Sequence, residues 1–131
     1  MKVSDCNISD EFLTCDVNDS VSNLAKTMKQ KDFLNQVIVL EQKKPVGVIS
    51  TRDIVERVVA EDKNPSLVKA KEIMTSPIVS VMDSDDIESV ANLMKSKRFL
   101  SLPVVNSNQE FLGVVTVYDV LKKTRKMVIR P

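Results

Sequence analysis

Sliding the chain against itself by 66 residues superposes 16–57 on 82–123 without a gap, with eleven identical positions. They are Asp19, Ala25, Met28, Lys29, Lys31, Phe33, Leu34, Val39, Gly47, Val48 and Asp53, with partners running from Asp85 to Asp119. About three identities would arise by chance at this composition. Core positions that differ exchange one aliphatic for another, as in Val21/Ile87, Leu24/Val90, Ile38/Val104 and Val46/Leu112. Such an internal repeat restricts the fold to two copies of one supersecondary unit.

Each copy reads β-α-β-β-α. Phe12–Cys15 and Ile78–Val81 are short apolar stretches that predict a first strand. Val21, Leu24, Ala25 and Met28, like Ile87, Val90, Ala91 and Met94, follow the i, i+3, i+4, i+7 spacing of an amphipathic helix. Asn18 and Ser84 are the expected N-caps, with Asp19 and Asp85-Asp86 suiting the positive helix start. Gln36–Leu40 with Pro45–Ser50, and Leu102–Val105 with Phe111–Thr116, predict hairpins joined by polar loops. A closing helix is expected to turn Ile54, Val55, Val58 and Val59, or Val120, Leu121 and Val128, inward. Asp62–Ser66 reads as a linker because Asn64 precedes Pro65, which places domains at 1–63 and 64–131. The fold class is α/β (α+β). A three-stranded sheet has two faces to bury, so one takes the helices and the other the twin's sheet. That packing implies pseudo-two-fold symmetry and two equivalent clefts.

Composition removes several function classes. The sequence has no His, so His-based general bases, Ser-His-Asp triads and His metal sites are excluded. Cys6 and Cys15 lack metal-ligand spacing and read as reduced core thiols. Lys plus Arg is 19 against 18 for Asp plus Glu, a balance that disfavours a nucleic-acid-binding protein. The basic end (Lys122, Lys123, Arg125, Lys126, Arg130) reads as a complement to a helix dipole. The longest aliphatic runs, such as Val37–Leu40, are far short of a membrane span, so a cytoplasmic protein is expected.

The chain's two glycines occupy the same place in the repeat. They open Gly47-Val48-Ile49-Ser50-Thr51-Arg52-Asp53 and Gly113-Val114-Val115-Thr116-Val117-Tyr118-Asp119. Each segment is a strand ending in Ser or Thr, then a helix with Asp at its third position. Ser50 with Asp53, and Thr116 with Asp119, fit a capping box. The same junction exposes backbone N–H groups to an anion, and Ser50 or Thr116 offers a hydroxyl donor. Asp53 and Asp119 suit the two hydroxyls of a ribose, and Arg52 suits a phosphate. Together these residues predict a nucleoside phosphate ligand.

The doubled unit with its Gly-apolar-apolar-Ser/Thr-x-x-Asp motif resembles a pair of cystathionine-β-synthase-type (CBS) domains, or Bateman module. Lys71–Thr75, Ser101–Val105 and Thr51–Val55 also resemble that family, and the likeness covers essentially the whole chain. The resemblance implies a regulatory, energy-sensing type of module rather than an enzyme. It implies AMP, ADP, ATP or S-adenosylmethionine as regulatory ligand, a homodimer, and a separate effector protein. A protein or nucleic-acid scaffold with vestigial clefts is the alternative. By position, Asp53 and Asp119 would take ribose hydroxyls, with Ser50, Thr51 and Thr116 near ribose or phosphate. Thr14, Ile78, Val79 and Ser80 would edge the base, while Val37, Pro103 and Val104 would wall the base slots. Arg98 is a weaker phosphate candidate, and Tyr118 stands where the first copy has Arg52.

Overall fold

The computed structural model describes residues 1–8, 12–30 and 36–128, with side chains as far as 124. Lys31, Phe33, Leu34 and Arg130 lie outside the described residues, as do the side chains of Arg125, Lys126 and Val128. A 3-10 turn (Val3–Asp5) precedes β1 (Leu13–Asp16), α1 (Val21–Gln30), β2 (Gln36–Glu41) and β3 (Lys44–Ser50). Next come α2 (Thr51–Ile54), continued by a π-helical turn (Val55–Val59), and α3 (Ala70–Ile73). The second copy holds β4 (Val81–Met82), α4 (Ile87–Lys97), β5 (Ser101–Val105), β6 (Phe111–Thr116) and α5 (Val117–Val128). Two three-stranded sheets result, ordered β1-β2-β3 and β4-β5-β6. In each, the first pair is parallel and the second antiparallel.

The compact units do not follow the linear repeat boundaries. One unit joins Met1–Glu11 to Val79–Pro131, and the other is Phe12–Ile78. The lead-in of each copy therefore packs with the opposite copy. Val3 and Cys6 belong to the core that holds Val81, Val90, Met94, Val104 and Val115. Ala70 and Ile73 belong to the core that holds Leu13, Leu24, Val37, Val39 and Ile49. The two lead-ins are built alike although their sequences match poorly. Asp5 Oδ2 accepts from the Lys2 amide at 2.8 Å, and Glu72 Oε2 accepts from the Lys69 amide at 2.6 Å. Lys2 then bridges to Asp86, and Lys69 to Ser20.

In the first sheet Leu13 and Cys15 pair with Val37 and Val39, which pair with Ile49 and Gly47. The period of two carries these side chains to one face, toward α1 and α3. A Cβ on Gly47 would meet Met74 Sδ at 2.5 Å, so this glycine makes room for a core methionine.

The second sheet departs from the ungapped repeat by one residue. Val104 faces Gly113 as Val39 faces Gly47, so Val104 is the counterpart of Val39 rather than of Ile38. Pro103 consequently corresponds to Ile38, and Leu102 to Val37. The slip is required by burial. Leu102 and Val104 point into the core, as Val37 and Val39 do, and an unslipped register would turn them out. Pro103 also explains why β4 has two residues where β1 has four. The pairing of Val81 with Val104 would set Ser80 against Pro103, which has no N–H to donate. Ile78, Val79 and Ser80 thus lie outside any strand, against expectation.

Helix starts differ as well. Ser20 and Asp86 are the caps, accepting from the Asn23 and Ser89 amides at 3.2 and 3.3 Å. Asn18 and Ser84 sit earlier, in turns closed when Asp19 and Asp85 accept from the Asp16 and Met82 amides, each at 2.9 Å. On the closing helices Val58 and Val120 are buried, but Val55 (56% exposed), Val59 (65%) and Leu121 face outward. The four-residue spacing of Ile54 and Val58 keeps that pair on one face, while Val55 and Val59, each one position on, turn away from it toward solvent.

Candidate functional site

Both Ser/Thr-x-x-Asp motifs fold as strand-to-helix junctions, with different wiring. Ser50 ends β3 and caps α2: its Oγ accepts from the Asp53 amide at 3.2 Å, and Asp53 Oδ2 accepts from the Ser50 amide at 2.8 Å. This is the reciprocal capping box. The hydrogen of the Ser50 hydroxyl stays uncommitted. In the second copy the Thr116 hydroxyl accepts from the Asp119 amide at 3.2 Å and donates to Asp119 Oδ2 at 2.8 Å. That hydroxyl has spent its one hydrogen, so Thr116 has none to offer a phosphate.

Electrostatic surroundings separate the motifs further. The Asp53 side chain is 14% exposed, and its Oδ1 lies 3.8 Å from Arg57 Nε. Arg57 Nη1 donates to the Ile73 carbonyl at 2.6 Å, which anchors α3 to the π-helical turn. Arg52 Nε bonds Glu56 Oε1 at 2.7 Å on the open surface. The cation expected to meet a phosphate is thus paired to a neighbour one turn on. Among the described residues, Asp119 has no cation within ion-pair distance. It opens instead into a groove of about 620 Å³ lined by Asp5, Cys6, Asn7, Lys122 and Lys123. Tyr118 beside it is 66% exposed, and Lys122 Nζ lies 4.7 Å over its ring centroid, a cation–π contact.

Volume decides what each cavity holds. The groove at Asp119 falls in the range of small-molecule sites. A second cavity, lined by Leu13, Thr14, Cys15, Asp19, Asn23, Leu24, Thr27 and Val37, measures about 50 Å³ and admits only water. Thr14 is exposed beside it, whereas Val37 and Val104 are fully buried within the two cores. Pro103 is buried, Thr51 and Val79 are exposed, and Ile78 and Ser80 are half-buried. Arg98 ends α4 in the left-handed region (φ 57°), exposed, and its amide bonds the Met94 carbonyl. Sequence reasoning passed over Asp5, Cys6 and Asn7 as site residues, and it set a phosphate or nucleic-acid contact by Lys122 and Lys123 below their reading as complements to a helix dipole. One signal was available: Glu56/Lys122 reverses charge between copies just where Arg52/Tyr118 removes a cation.

Burial pushes the Cys6 thiol up, with Asp119 and Asp5 adding to the rise and Lys123 opposing it. Cys15, buried near Asp19 and Asp16, is pushed up to about 12. Both are free thiols and stay protonated at neutral pH.

The CBS domain family profile matches residues 3–60 and again 70–126. The chain belongs to the CBS domain family. An uncharacterized protein of Methanopyrus kandleri is 32% identical over 112 residues, covering 86% of this CBS domain pair and 57% of the relative. The cytosolic domain of the Mg2+ channel MgtE, solved in complex with ATP, is 26% identical with a TM-score of 0.74. That match covers 88% of this chain and 46% of the other. A CBS domain pair/ACT domain protein of Thermotoga maritima superposes with a TM-score of 0.79 at 21% identity, over 98% of this chain and 100% of that one. Its likeness establishes the fold. No helix among the described residues is long and apolar enough to cross a membrane.

Proposed function

We propose that this CBS pair is a regulatory module that binds an adenosine-containing ligand (AMP, ADP, ATP or S-adenosylmethionine) beside Asp119 and acts on a separate effector protein. CBS domain pairs are typically regulatory ligand-binding modules, and the MgtE relative was solved with ATP. The observation that carries the proposal is Asp119 opening, unpaired with any cation among the described residues, into a groove large enough for a nucleoside. Its Oδ1 remains available to ribose hydroxyls while Thr116 steadies Oδ2. Asp53 is the corresponding candidate in the first copy, and the Ser50 hydroxyl is the group there with a hydrogen to give. Self-association belongs to the same reading, supported by the exposed Val55, Val59 and Leu121.

Thermal-shift titration with the four ligands tests the proposal. A ligand that binds only the folded chain stabilises by about 2.7 kcal/mol at a hundred times its dissociation constant. Asp119→Asn is expected to abolish that response while leaving the unliganded melting temperature near its starting value. Full retention of the response in both Asp53→Asn and Asp119→Asn overturns it.

A further inference from the structure

We infer that Arg57 closes, in the first copy, the groove that stays open in the second, so that a folded chain takes one ligand molecule rather than two. The inference rests on the function proposed above and names which of its two candidate carboxylates is free to act. The second copy's groove has the lead-in residues Asp5, Cys6 and Asn7 on one side and Asp119, Lys122 and Lys123 on the other. The first copy has a counterpart for each. Asp5 and Glu72 occupy the same place, since their amides donate to the Lys2 and Lys69 carbonyls, both at 2.9 Å. Cys6 and Asn7 therefore correspond to Ile73 and Met74, while Lys122 and Lys123 correspond to Glu56 and Arg57.

In the first copy these two sides are tied together. Arg57 Nη1 donates to the Ile73 carbonyl at 2.6 Å and to the Met74 carbonyl at 3.3 Å. Its Nε lies 3.8 Å from Asp53 Oδ1. One guanidinium thus spans from the motif carboxylate to the lead-in. Asp53 has both oxygens engaged, Oδ2 by the Ser50 amide and Oδ1 by Arg57. The Arg57 side chain is 46% exposed, so it stands at the mouth rather than within the core. Met74 adds to the closure by packing onto Gly47, where the second copy has the exposed Asn7.

The second copy cannot make the same closure. Lys123 forms no ion pair among the described residues and lines the groove instead. Its single ammonium lacks the planar fork whose several donors, fixed in direction, meet acceptors on two elements at once. The backbone differs as well. Arg57 stands in the π-helical turn Val55–Val59, closed by the Ala60 amide on the Val55 carbonyl at 2.8 Å, whereas Lys123 stands on the regular helix α5. A π-helical turn is wider than an α-helical one, which changes the direction in which this side chain leaves the helix.

Calorimetric titration of the full chain with AMP, ADP, ATP and S-adenosylmethionine, read as molecules bound per chain, tests this. The wild-type chain is expected to bind one, and Asp119→Asn to lose it. Arg57→Ala should bind two, and adding Asp53→Asn should return it to one, a change that a merely structural role for Arg57 would not produce. Should Arg57→Ala not fold, Arg57→Lys/Met74→Asn takes its place, giving the first copy the pair that lines the second. Two molecules on the wild-type chain, or only one on the folded Arg57 variant, overturns the closure and leaves the proposed function intact. Loss of the wild-type molecule in Asp53→Asn rather than in Asp119→Asn also overturns the closure. One molecule on the Arg57 variant and none on the wild-type chain upholds the closure and removes the reading at Asp119. No binding to any of these chains overturns both.

Discussion

At the scale of single residues, the repeat's most informative positions are those where identical motifs are wired differently. Asp53 folds back on the Ser50 amide, whereas Asp119 takes the Thr116 hydroxyl. Both were legible as Ser/Thr-x-x-Asp, but which hydrogen each carboxylate holds depends on packing that no spacing encodes. Gly47 shows the same limit. Its scarcity marked it as a place of close approach, and the approaching group is Met74, 27 positions along. Gly47→Ala should cost about 1–3 kcal/mol by overpacking, measured by urea denaturation. Adding Met74→Ala should recover part of that loss, because the two changes act on one contact. Simple additivity of the two losses would show that Met74 is not the obstacle. Cys15 gives a prediction in pH. Its folded thiol is pushed up to about 12, above its ordinary value of 9.0. The folded state therefore keeps a proton that the unfolded chain releases. Stability is fully present below about pH 9 and declines toward 12, at a slope of at most about 1.4 kcal/mol per unit. Cys15→Ala should lower stability at neutral pH and flatten that alkaline slope; an unchanged slope would place its source elsewhere.

At the scale of elements, hydrophobic periodicity located the long helices and the two hairpins but not α3 or the N-terminal turn, and errors gathered where the backbone's own bonding decides. The caps moved to Ser20 and Asp86 because Asp19 and Asp85 close the preceding turns. The slipped register of β5 was hidden because Val104 and Val105 are both valine, so the ungapped match of Val39 to Val105 looks as good as the true pairing with Val104. Only the partner glycine tells them apart. The β2–β3 turn carries a testable consequence. Gln42 and Lys43 sit at φ 51° and 70°, the left-handed pair of a two-residue hairpin that favours Asn-Gly. A non-glycine residue there pays roughly 1–2 kcal/mol. Lys43→Gly should therefore stabilise the fold by about 0.5–1 kcal/mol after the entropy of glycine is counted, read as a higher urea midpoint. A loss of stability would mean that the Lys43 side chain contributes contacts the turn needs.

At the scale of the whole molecule, the sequence was divided at 63/64, while contacts group 12–78 apart from a unit made of the two chain ends. Repeat identity follows ancestry along the chain, and burial follows proximity, so the two need not agree. The difference becomes measurable in fragments. A unit of some 60 residues buries only about 60% of its unfolded surface and is marginal alone. Fragment 1–63 lacks Val68, Ala70 and Ile73, all buried in the core with Leu13, Val37 and Ile49, and leaves Arg57 without its carbonyl partner. Burying one Ile side chain is worth about 1.5–3 kcal/mol, a large part of what so small a core can supply. Fragment 12–78, of nearly the same length, keeps these residues and gives up Val3 and Cys6, which belong to the other core. It should show a cooperative urea transition and dispersed amide resonances, whereas 1–63 should unfold without a clear midpoint. A higher midpoint for 1–63 would return each lead-in to its own copy and would sever Asp5, Cys6 and Asn7 from the groove at Asp119.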